Sequence, residues 1–238
     1  MLPTPSAVLL DLDETLLDTQ VGLDAGISAA WLLARESFNG DEERWRSANQ
    51  TAANRIWSTR GQDWVLGRVQ DADLTAMIYA DTLSLVGAPT TLAPALASVH
   101  GAAVLAAARC YGDAPALLAA LSDRQVPVGI VTNGAVSQRD LVTAAAIDVP
   151  PHQVVVSAEH GRAKPDPALF DIACAALRVD RTRLWHVGDS LSTDVAGARA
   201  AGVSAVWIDR RGRSAAPDGP TPDLTISTLD ELVERIGN

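Results

Sequence analysis

Short, uninterrupted apolar runs separated by segments of helical spacing are the feature that most restricts how this 238-residue chain can fold. A strand buried on both faces of a parallel sheet has such a run, whereas a strand with one wet face alternates apolar and polar residues. The runs predict strands at residues 7–10, 126–131, 154–156, 184–187 and 203–208. Because helical segments alternate with these strands, the sequence predicts an α/β fold with a doubly wound, Rossmann-like parallel sheet.

Residues 19–108 lack a comparable strand-like run and show helical spacing instead. Apolar residues at i, i+4, i+7, i+8 and i+11 predict one face of an amphipathic helix, namely Leu23, Ile27, Ala30, Trp31 and Ala34. Four of the six tryptophans also lie here and are expected to be core residues, namely Trp31, Trp45, Trp57 and Trp64. We therefore expect a helical domain of residues 19–108, inserted into an α/β core domain of residues 1–18 and 109–238.

Two further elements are predicted near the C-terminus. Residues 211–222 are rich in Gly, Pro and Ser, a composition typical of a surface loop. Residues 228–236 combine apolar and charged side chains at helical spacing and predict a closing helix.

The charge balance restricts the partners of the chain. It carries 29 acidic and 19 basic side chains, a formal net charge of −10. Affinity for nucleic acids and for anionic membrane surfaces depends on clustered Lys and Arg, so we expect neither as a partner.

The two cysteines, Cys110 and Cys174, lack metal-ligand spacing and are expected to be reduced thiols. Without a basic residue before Arg35 or an apolar run of membrane-spanning length, we expect a cytoplasmic protein.

Polar residues suited to chemistry follow the predicted strands, where open α/β sheets bind ligands. Asp11 and Asp13 come directly after the first strand, and Thr15 lies two positions further on. Converging carboxylates repel each other unless a cation or a shared proton offsets their charge, and oxygen ligands suit Mg²⁺. Two solvated acids in a turn are the alternative interpretation.

The next two strand ends carry groups that could bind a phosphate. Thr132, Asn133 and Gly134 offer a hydroxyl, an amide and an unhindered backbone, although such residues also form ordinary turns. Lys164 is the only lysine in the chain, and it precedes a helix start, where anions are favoured. It could neutralise a phosphate there, or it could be an ordinary exposed lysine.

The fourth strand ends at Gly188 and Asp189. Gly188 permits close backbone approach, and Asp189 could complete a metal site with Asp11 and Asp13. Asp194 could be a ligand, a residue that orients a ligand, or simply an acid in the first turn of a helix. His186, inside the strand, is expected to be a buried, hydrogen-bonded histidine.

In this order, the four motifs resemble those of the haloacid dehalogenase-like (HAD) hydrolase superfamily. The resemblance covers residues 1–18 and 109–238, and the insertion is placed like a type-1 helical cap domain of that family. The spacing from Asp189 to Asp194 is similar to that of the phosphatase branch. This branch has N-acylneuraminate-phosphatase-like, nucleotidase-like and phosphoglycolate-phosphatase-like members.

The resemblance implies a role for each motif. Asp11 would be the nucleophile that forms an aspartyl-phosphate, and Asp13 the general acid and base whose backbone carbonyl binds Mg²⁺. Lys164 would pair with Asp11 and the phosphate. Thr132 and Asn133 would hold the phosphoryl oxygens. Asp189 would be the remaining carboxylate on Mg²⁺, with supporting roles for Thr15, Gly188 and Asp194.

The acid at position 13 favours phosphate chemistry, because haloalkanoate dehalogenases of this family carry a non-acidic residue there. A halide leaves without a proton, whereas the alcohol of a phosphoester needs one. We therefore expect a Mg²⁺-dependent phosphatase, monomeric or homodimeric, that acts on a small phosphorylated metabolite. The alternatives are a phosphomutase or phosphotransferase of the same superfamily, a receiver-like phospho-signalling module, and a glycosyltransferase whose acid pair holds a metal-bound diphosphate.

Overall fold

The computed structural model of the protein describes residues 2, 4–212 and 219–237, so residues 213–218 of the expected loop lie outside the described part. The chain divides into two compact units, one of Met1–Asp18 with Arg109–Asn238 and the other of Thr19–Ala108. They are called the core unit and the helical unit below. Among the described residues, no helix combines the length and the apolar character needed to cross a membrane.

The core unit is built on one parallel sheet. Its strands are β1 (Ala7–Leu10), β2 (Val128–Thr132), β3 (Val154–Val156), β4 (Leu184–Gly188), β5 (Ser204–Ile208) and β6 (Leu224–Ile226). They are hydrogen-bonded in the order β3-β2-β1-β4-β5-β6, and every pair is parallel. Because the strand order reverses direction at β1, the doubly wound sheet predicted from the sequence is confirmed.

The sixth strand was absent from the predicted set. Leu224–Ile226 has three residues, and Thr225 between its apolar ends is exposed. Such a strand at the sheet edge, with one residue facing solvent, leaves no continuous apolar run in the sequence.

The helical unit contains four helices, α1 (Thr19–Ala34), α2 (Glu42–Val65), α3 (Asp71–Val86) and α4 (Ala93–Ala106). The Asp41 carboxylate accepts a hydrogen bond from Arg44 N at 2.9 Å and caps α2, and Gly87 ends α3 with a φ of 79°. Trp45 and Tyr79 stack in the core of this unit with ring centroids 5.9 Å apart. Aromatic packing is thus central to the unit.

The predicted face of α1 is confirmed at Ile27, Ala30, Trp31 and Ala34, which belong to or pack against the core of this unit, and is wrong at Leu23. Leu23 is 43% exposed, whereas the buried strip consists of Gly22, Gly26, Ala30 and Ala34. A side chain on Gly26 would place its Cβ 2.5 Å from His100 Nδ1, so these small residues allow α1 and α4 to approach closely. The four tryptophans also differ from one another, because Trp45 is fully buried and Trp57 is 43% exposed.

Helices cover both faces of the core sheet. They are α5 (Ala114–Asp123), α6 (Gln138–Ala144), α7 (Ser157–His160), α8 (Pro167–Leu177), α9 (Ala196–Ala200) and α10 (Asp230–Gly237). Val8 and Leu10 of β1 pack in the apolar cluster that includes residues of α5 and α10. Ala7 and Leu9, on the opposite face, pack in the cluster that includes residues of α8 and α9. Burial on both sides explains why β1 is an unbroken apolar run.

Short helical turns of other types complete the structure. The 3-10 turns are Arg35–Ser37, Thr90–Leu92, Pro151–Gln153 and Arg181–Arg183, and Leu191–Val195 forms a π-helical turn directly before α9. A π-helical turn is frequently associated with a functional site.

The two segments that join the core unit to residues 19–108 pair with each other. Leu17 and Cys110 form an isolated antiparallel bridge, and Tyr111 N donates a hydrogen bond to Leu16 O at 2.8 Å. The core unit is therefore closed by backbone hydrogen bonds at the point where the inserted residues begin and end.

Candidate active site

The predicted site residues gather at the carboxyl ends of the three central strands. In the sheet register Leu10 of β1 is level with Ile130 of β2 and Val187 of β4. Asp11 follows β1, and its backbone N–H donates to Val187 O at 2.9 Å. Thr132 and Gly188 are the last residues of β2 and β4. This is the edge where open α/β sheets bind ligands.

Lys164 lies between two carboxylates. Its Nζ is 2.5 Å from Asp11 Oδ1 and 2.7 Å from Asp194 Oδ1, and the residue is only 4% exposed. Burial by itself lowers the pKa of Lys164, but the charges of Asp11 and Asp194 outweigh burial and hold its pKa above the ordinary value. Lys164 is therefore a permanently charged ammonium at the centre of the site.

Asn133 holds the backbone of Lys164. Its Nδ2 donates to Lys164 O at 2.9 Å, and its Oδ1 accepts from Lys164 N at 2.8 Å. Both ends of this side chain are thus committed to positioning Lys164. The side chain of Asn133 therefore supports the segment that carries the ammonium.

Asp194 lies behind Lys164 and is held from several sides. His186 Nε2 lies 2.8 Å from Asp194 Oδ1, and Ser190 N donates to Asp194 Oδ2 at 3.1 Å. Burial raises the pKa of Asp194, but Lys164 and His186 outweigh burial and lower it. Burial also lowers the pKa of His186, which favours its neutral form. Asp194 is therefore an ionised residue that anchors Lys164.

The glycine at the end of β4 is required by this arrangement. A Cβ on Gly188 would lie 2.2 Å from Asp194 Cγ, well inside van der Waals contact. Only a residue without a side chain leaves Asp194 in its place beneath the strand end.

Asp13 has a separate environment. Gln138, the first residue of α6, donates from Nε2 to Asp13 Oδ2 at 2.6 Å. Burial raises the pKa of Asp13 to about 6, although the hydrogen bond from Gln138 opposes this increase. Asp13 can therefore hold a proton at a pH where an ordinary aspartate has lost it, as a general acid must.

Two threonine hydroxyls near the site are buried. Thr132 Oγ1 and Thr15 Oγ1 have no hydrogen-bond partner among the described residues. The Thr15 carbonyl accepts a hydrogen bond from Arg210 Nη2 at 2.9 Å, which ties this loop to the end of β5. A buried hydroxyl without a protein partner suits an oxygen of a bound ligand, and Thr132 at the end of β2 is placed for that role.

Three carboxylates at this edge could hold a metal ion. Asp11, Asp189 and Asp194 each offer an oxygen within 4.8 Å of the others. Burial is the main cause that raises the pKa of Asp11, and Asp194 raises it further, whereas Lys164 lowers it. Carboxyl oxygens grouped this closely suit a hard divalent cation such as Mg²⁺, whose charge would favour the ionised form of Asp11.

Gln138 is the residue of this site that the motifs did not indicate. It lies 125 positions from Asp13 in the sequence, and one glutamine at a helix start has no distinguishing spacing. His186 forms a buried hydrogen bond, as expected of it.

The sequence of the chain matches the model of a known protein family. The model of the haloacid dehalogenase-like hydrolase family matches residues 5–202. Phosphoserine phosphatase of Thermus thermophilus is 39% identical over 123 residues, 51% of this chain and 49% of its own length. N-acylneuraminate-9-phosphatase of Mus musculus is 34% identical over 122 residues, 50% of this chain and 49% of its own length. The chain spans about half the length of the curated relatives it matches.

Solved structures match over nearly the whole chain. The HAD-hydrolase YfnB of Bacillus subtilis superimposes with a TM-score of 0.75 and 18% identity over 98% of both chains, which indicates a shared fold. The 2-haloacid dehalogenase of Pseudomonas syringae has a TM-score of 0.66 and 25% identity, covering 100% of this chain and 99% of its own. The structural neighbours thus include a dehalogenase.

Proposed function

Because the chain belongs to the haloacid dehalogenase-like hydrolases, we propose that it is a Mg²⁺-dependent phosphatase that hydrolyses a small phosphomonoester through an aspartyl-phosphate on Asp11. The observation that carries this proposal is the carboxyl of Asp13, two positions after Asp11, whose pKa burial raises to about 6. Halide departure needs no proton, whereas an alkoxide leaves readily only when an acid protonates it. A proton-holding acid at this position therefore favours phosphoester chemistry over dehalogenation.

In the first step, an oxygen of the Asp11 carboxylate attacks the phosphorus atom. The new bond joins that oxygen to phosphorus, and the bond from phosphorus to the alcohol oxygen breaks. Asp13 gives its proton to the departing oxygen, so the alcohol leaves neutral. In the second step water attacks the phosphorus of the aspartyl-phosphate, and Asp13 takes a proton from that water. The bond from phosphorus to the Asp11 oxygen breaks, so inorganic phosphate leaves and both side chains are restored.

The phosphoryl group brings negative charge to a site that is already acidic. Lys164 lies 2.5 Å from Asp11 Oδ1, and its charge can offset both the nucleophile and the phosphoryl oxygens. The Thr132 hydroxyl and the backbone of Asn133 would donate hydrogen bonds to those oxygens. Asp194 and the Asn133 side chain keep Lys164 in place from behind.

A divalent cation fits the carboxylates of this edge. Asp11, Asp189 and the backbone carbonyl of Asp13 would hold Mg²⁺, and its charge would lower the repulsion between the Asp11 carboxylate and the phosphate. Asp194 already accepts hydrogen bonds at both oxygens, so we assign it to Lys164 rather than to the metal. The division into a core domain of residues 1–18 and 109–238 and a helical domain of residues 19–108 belongs to the same proposal.

The proposal is tested by measuring phosphate release from a panel of monoesters with Mg²⁺ and with a chelator. Phosphoserine and N-acylneuraminate 9-phosphate enter the panel because they are named in the two relatives, together with sugar phosphates, nucleotides and phosphoglycolate. Mg²⁺-dependent release that is lost in Asp11→Asn supports the proposal. Chloride release from 2-chloropropionate without phosphatase activity would make the chain a dehalogenase, and phosphoryl transfer to an added alcohol in place of water would make it a phosphotransferase.

A further inference from the structure

Gln138 holds the carboxyl of Asp13 by a hydrogen bond. The residue is 3% exposed, and its Nε2 lies 2.6 Å from Asp13 Oδ2. This buried hydrogen bond restricts the orientation of the Asp13 carboxyl. The contact joins α6 to the loop after β1, two segments that lie far apart in the sequence.

The neighbouring glycine provides the space for this amide. A Cβ on Gly134 would lie 2.6 Å from Gln138 Nε2 and 2.7 Å from its Cγ. The backbone of Gly134 does not have the positive φ that favours glycine, and its N–H donates an ordinary hydrogen bond to Ser157 Oγ at 2.9 Å. Lack of space, rather than backbone conformation, therefore accounts for glycine at this position.

An amide is chemically suited to the work assigned to Asp13. Its NH₂ group donates to a carboxylate, and its carbonyl oxygen accepts from a protonated carboxyl after a half-turn of the amide. Gln138 Oε1 has no hydrogen-bond partner among the residues that the structure describes. The same side chain can thus hold Asp13 in both steps of the reaction.

We propose that Gln138 is a positioning residue that aims the Asp13 carboxyl at the leaving oxygen, and that Gly134 is required because it leaves room for Gln138. This inference rests on the proposed phosphatase activity and adds a residue to it. It predicts that loss of the amide impairs the step in which a proton is transferred and leaves substrate binding intact.

The test compares Gln138→Ala, Gly134→Ala and the double variant on an alkyl phosphate and on p-nitrophenyl phosphate. For the alkyl phosphate, we expect kcat to fall about tenfold or more in each single variant, with KM nearly unchanged, because a misplaced acid transfers its proton slowly. For p-nitrophenyl phosphate we expect kcat/KM, which reports only the first step, to fall by less than about threefold, because nitrophenolate leaves without a proton.

The double variant links the two residues. Without the side chain of Gln138 the methyl group introduced at position 134 has room, so the double variant should be no slower than Gln138→Ala alone. Gly112→Ala is the matched control, because a Cβ there meets no atom within 4 Å, and its rates should equal those of the wild type. Thermal unfolding of every variant shows which of them retain the fold.

Equal losses of kcat/KM on both substrates, or a change in KM alone, would show that Gln138 only supports the fold and would overturn the inference. Additive losses in the double variant would overturn the role of Gly134. A wild-type chain that releases phosphate from no monoester would instead overturn the proposed function, which separates the two failures.

Discussion

The core unit and the helical unit bury polar side chains in different ways. In the core unit Lys164 is buried against Asp11 and Asp194, so full charges lie out of reach of solvent. In the helical unit the buried polar pair is neutral, with Asn49 Nδ2 donating to Thr82 Oγ1 at 3.2 Å. The first arrangement is costly to assemble, whereas the second is an ordinary satisfied hydrogen bond.

This difference shows which part of the chain is built for chemistry. Buried charges are weak contributors to stability, because the cost of removing them from water offsets most of their attraction. A core that packs aromatic rings, as Trp45 and Tyr79 do, stabilises a unit more simply. The charged cluster of the core unit is therefore better explained by the reaction proposed for it than by folding.

The largest effect is expected from Asp11→Asn. An amide cannot form the aspartyl-phosphate, so phosphatase turnover should fall by about a thousandfold or more. Asn has nearly the same shape, so the circular dichroism spectrum should be unchanged. The exposed acid Glu43 of the helical unit provides the control, and Glu43→Gln should keep the full rate. Equal turnover in Asp11→Asn and wild type would refute the assignment of the nucleophile.

Lys164→Met contrasts directly with Thr82→Val. Removal of the ammonium leaves Asp11 and Asp194 buried without their cation, so the free energy of unfolding should fall by about 3–5 kcal/mol at neutral pH. Thr82→Val breaks a neutral pair in the helical unit and should cost only about 1 kcal/mol. Urea unfolding measures both, and similar costs would mean that the two units do not differ as described.

Gly188→Ala in the core unit and Gly101→Ala in the helical unit are expected to change stability in opposite directions. The Cβ at position 188 would displace Asp194, so we expect a loss of about 1–3 kcal/mol in stability, together with reduced turnover. Gly101 is exposed within α4 and has open space around it, so alanine there should stabilise the protein by about 0.5–1 kcal/mol. Thermal melts of both variants provide the comparison, and a stabilising Gly188→Ala would contradict the described position of Asp194.

The last expected effect concerns Asp13 and depends on pH. Its pKa is raised by burial from 3.8 to about 6, so between these values the folded protein keeps a proton that the unfolded chain has lost. The stability contributed by this group is therefore lost as the pH rises through that window.

Asp13→Asn removes the titrating group, so the variant should be more stable than wild type by about 3 kcal/mol at pH 8 and by little at pH 4. Urea unfolding in the presence of a chelator measures this difference, with the exposed Asp148→Asn as a control that should show no such trend. A gain that is the same at both values of pH would show that burial does not raise the pKa of Asp13.

Strands buried on both faces could be predicted from the sequence, and those with a wet face could not. β1 and β4 are continuous apolar runs because helices cover both sides of the sheet. The predicted face of α1 was wrong at Leu23, because packing favoured Gly22 and Gly26, which allow close helix contact. Its other four positions pack as predicted. Apolar spacing alone does not show how closely a partner helix will approach.

The residues of the candidate site also differ in how far their contacts could be predicted from the sequence. Asp11, Lys164, Asp189 and Asp194 stand at the ends of strands or helices, so their meeting could be expected from the topology of a parallel sheet. Asn133 and Gln138 act through side-chain contacts to a backbone 31 residues away and to a carboxylate 125 residues away. Such contacts have no local sequence pattern, because they arise only after the chain has folded.

The pairing of Leu17 with Cys110, and of Tyr111 with Leu16, has an evolutionary consequence. Because these two segments lie side by side, residues 19–108 leave the core unit and return to it at the same place, as the loop of a β-hairpin does. Their replacement by a chain of another length would leave every strand crossover unchanged, and the added closure entropy grows only slowly with that length. Recombination at this junction can therefore exchange the whole inserted segment without changing the path of the backbone near the carboxyl ends of the strands.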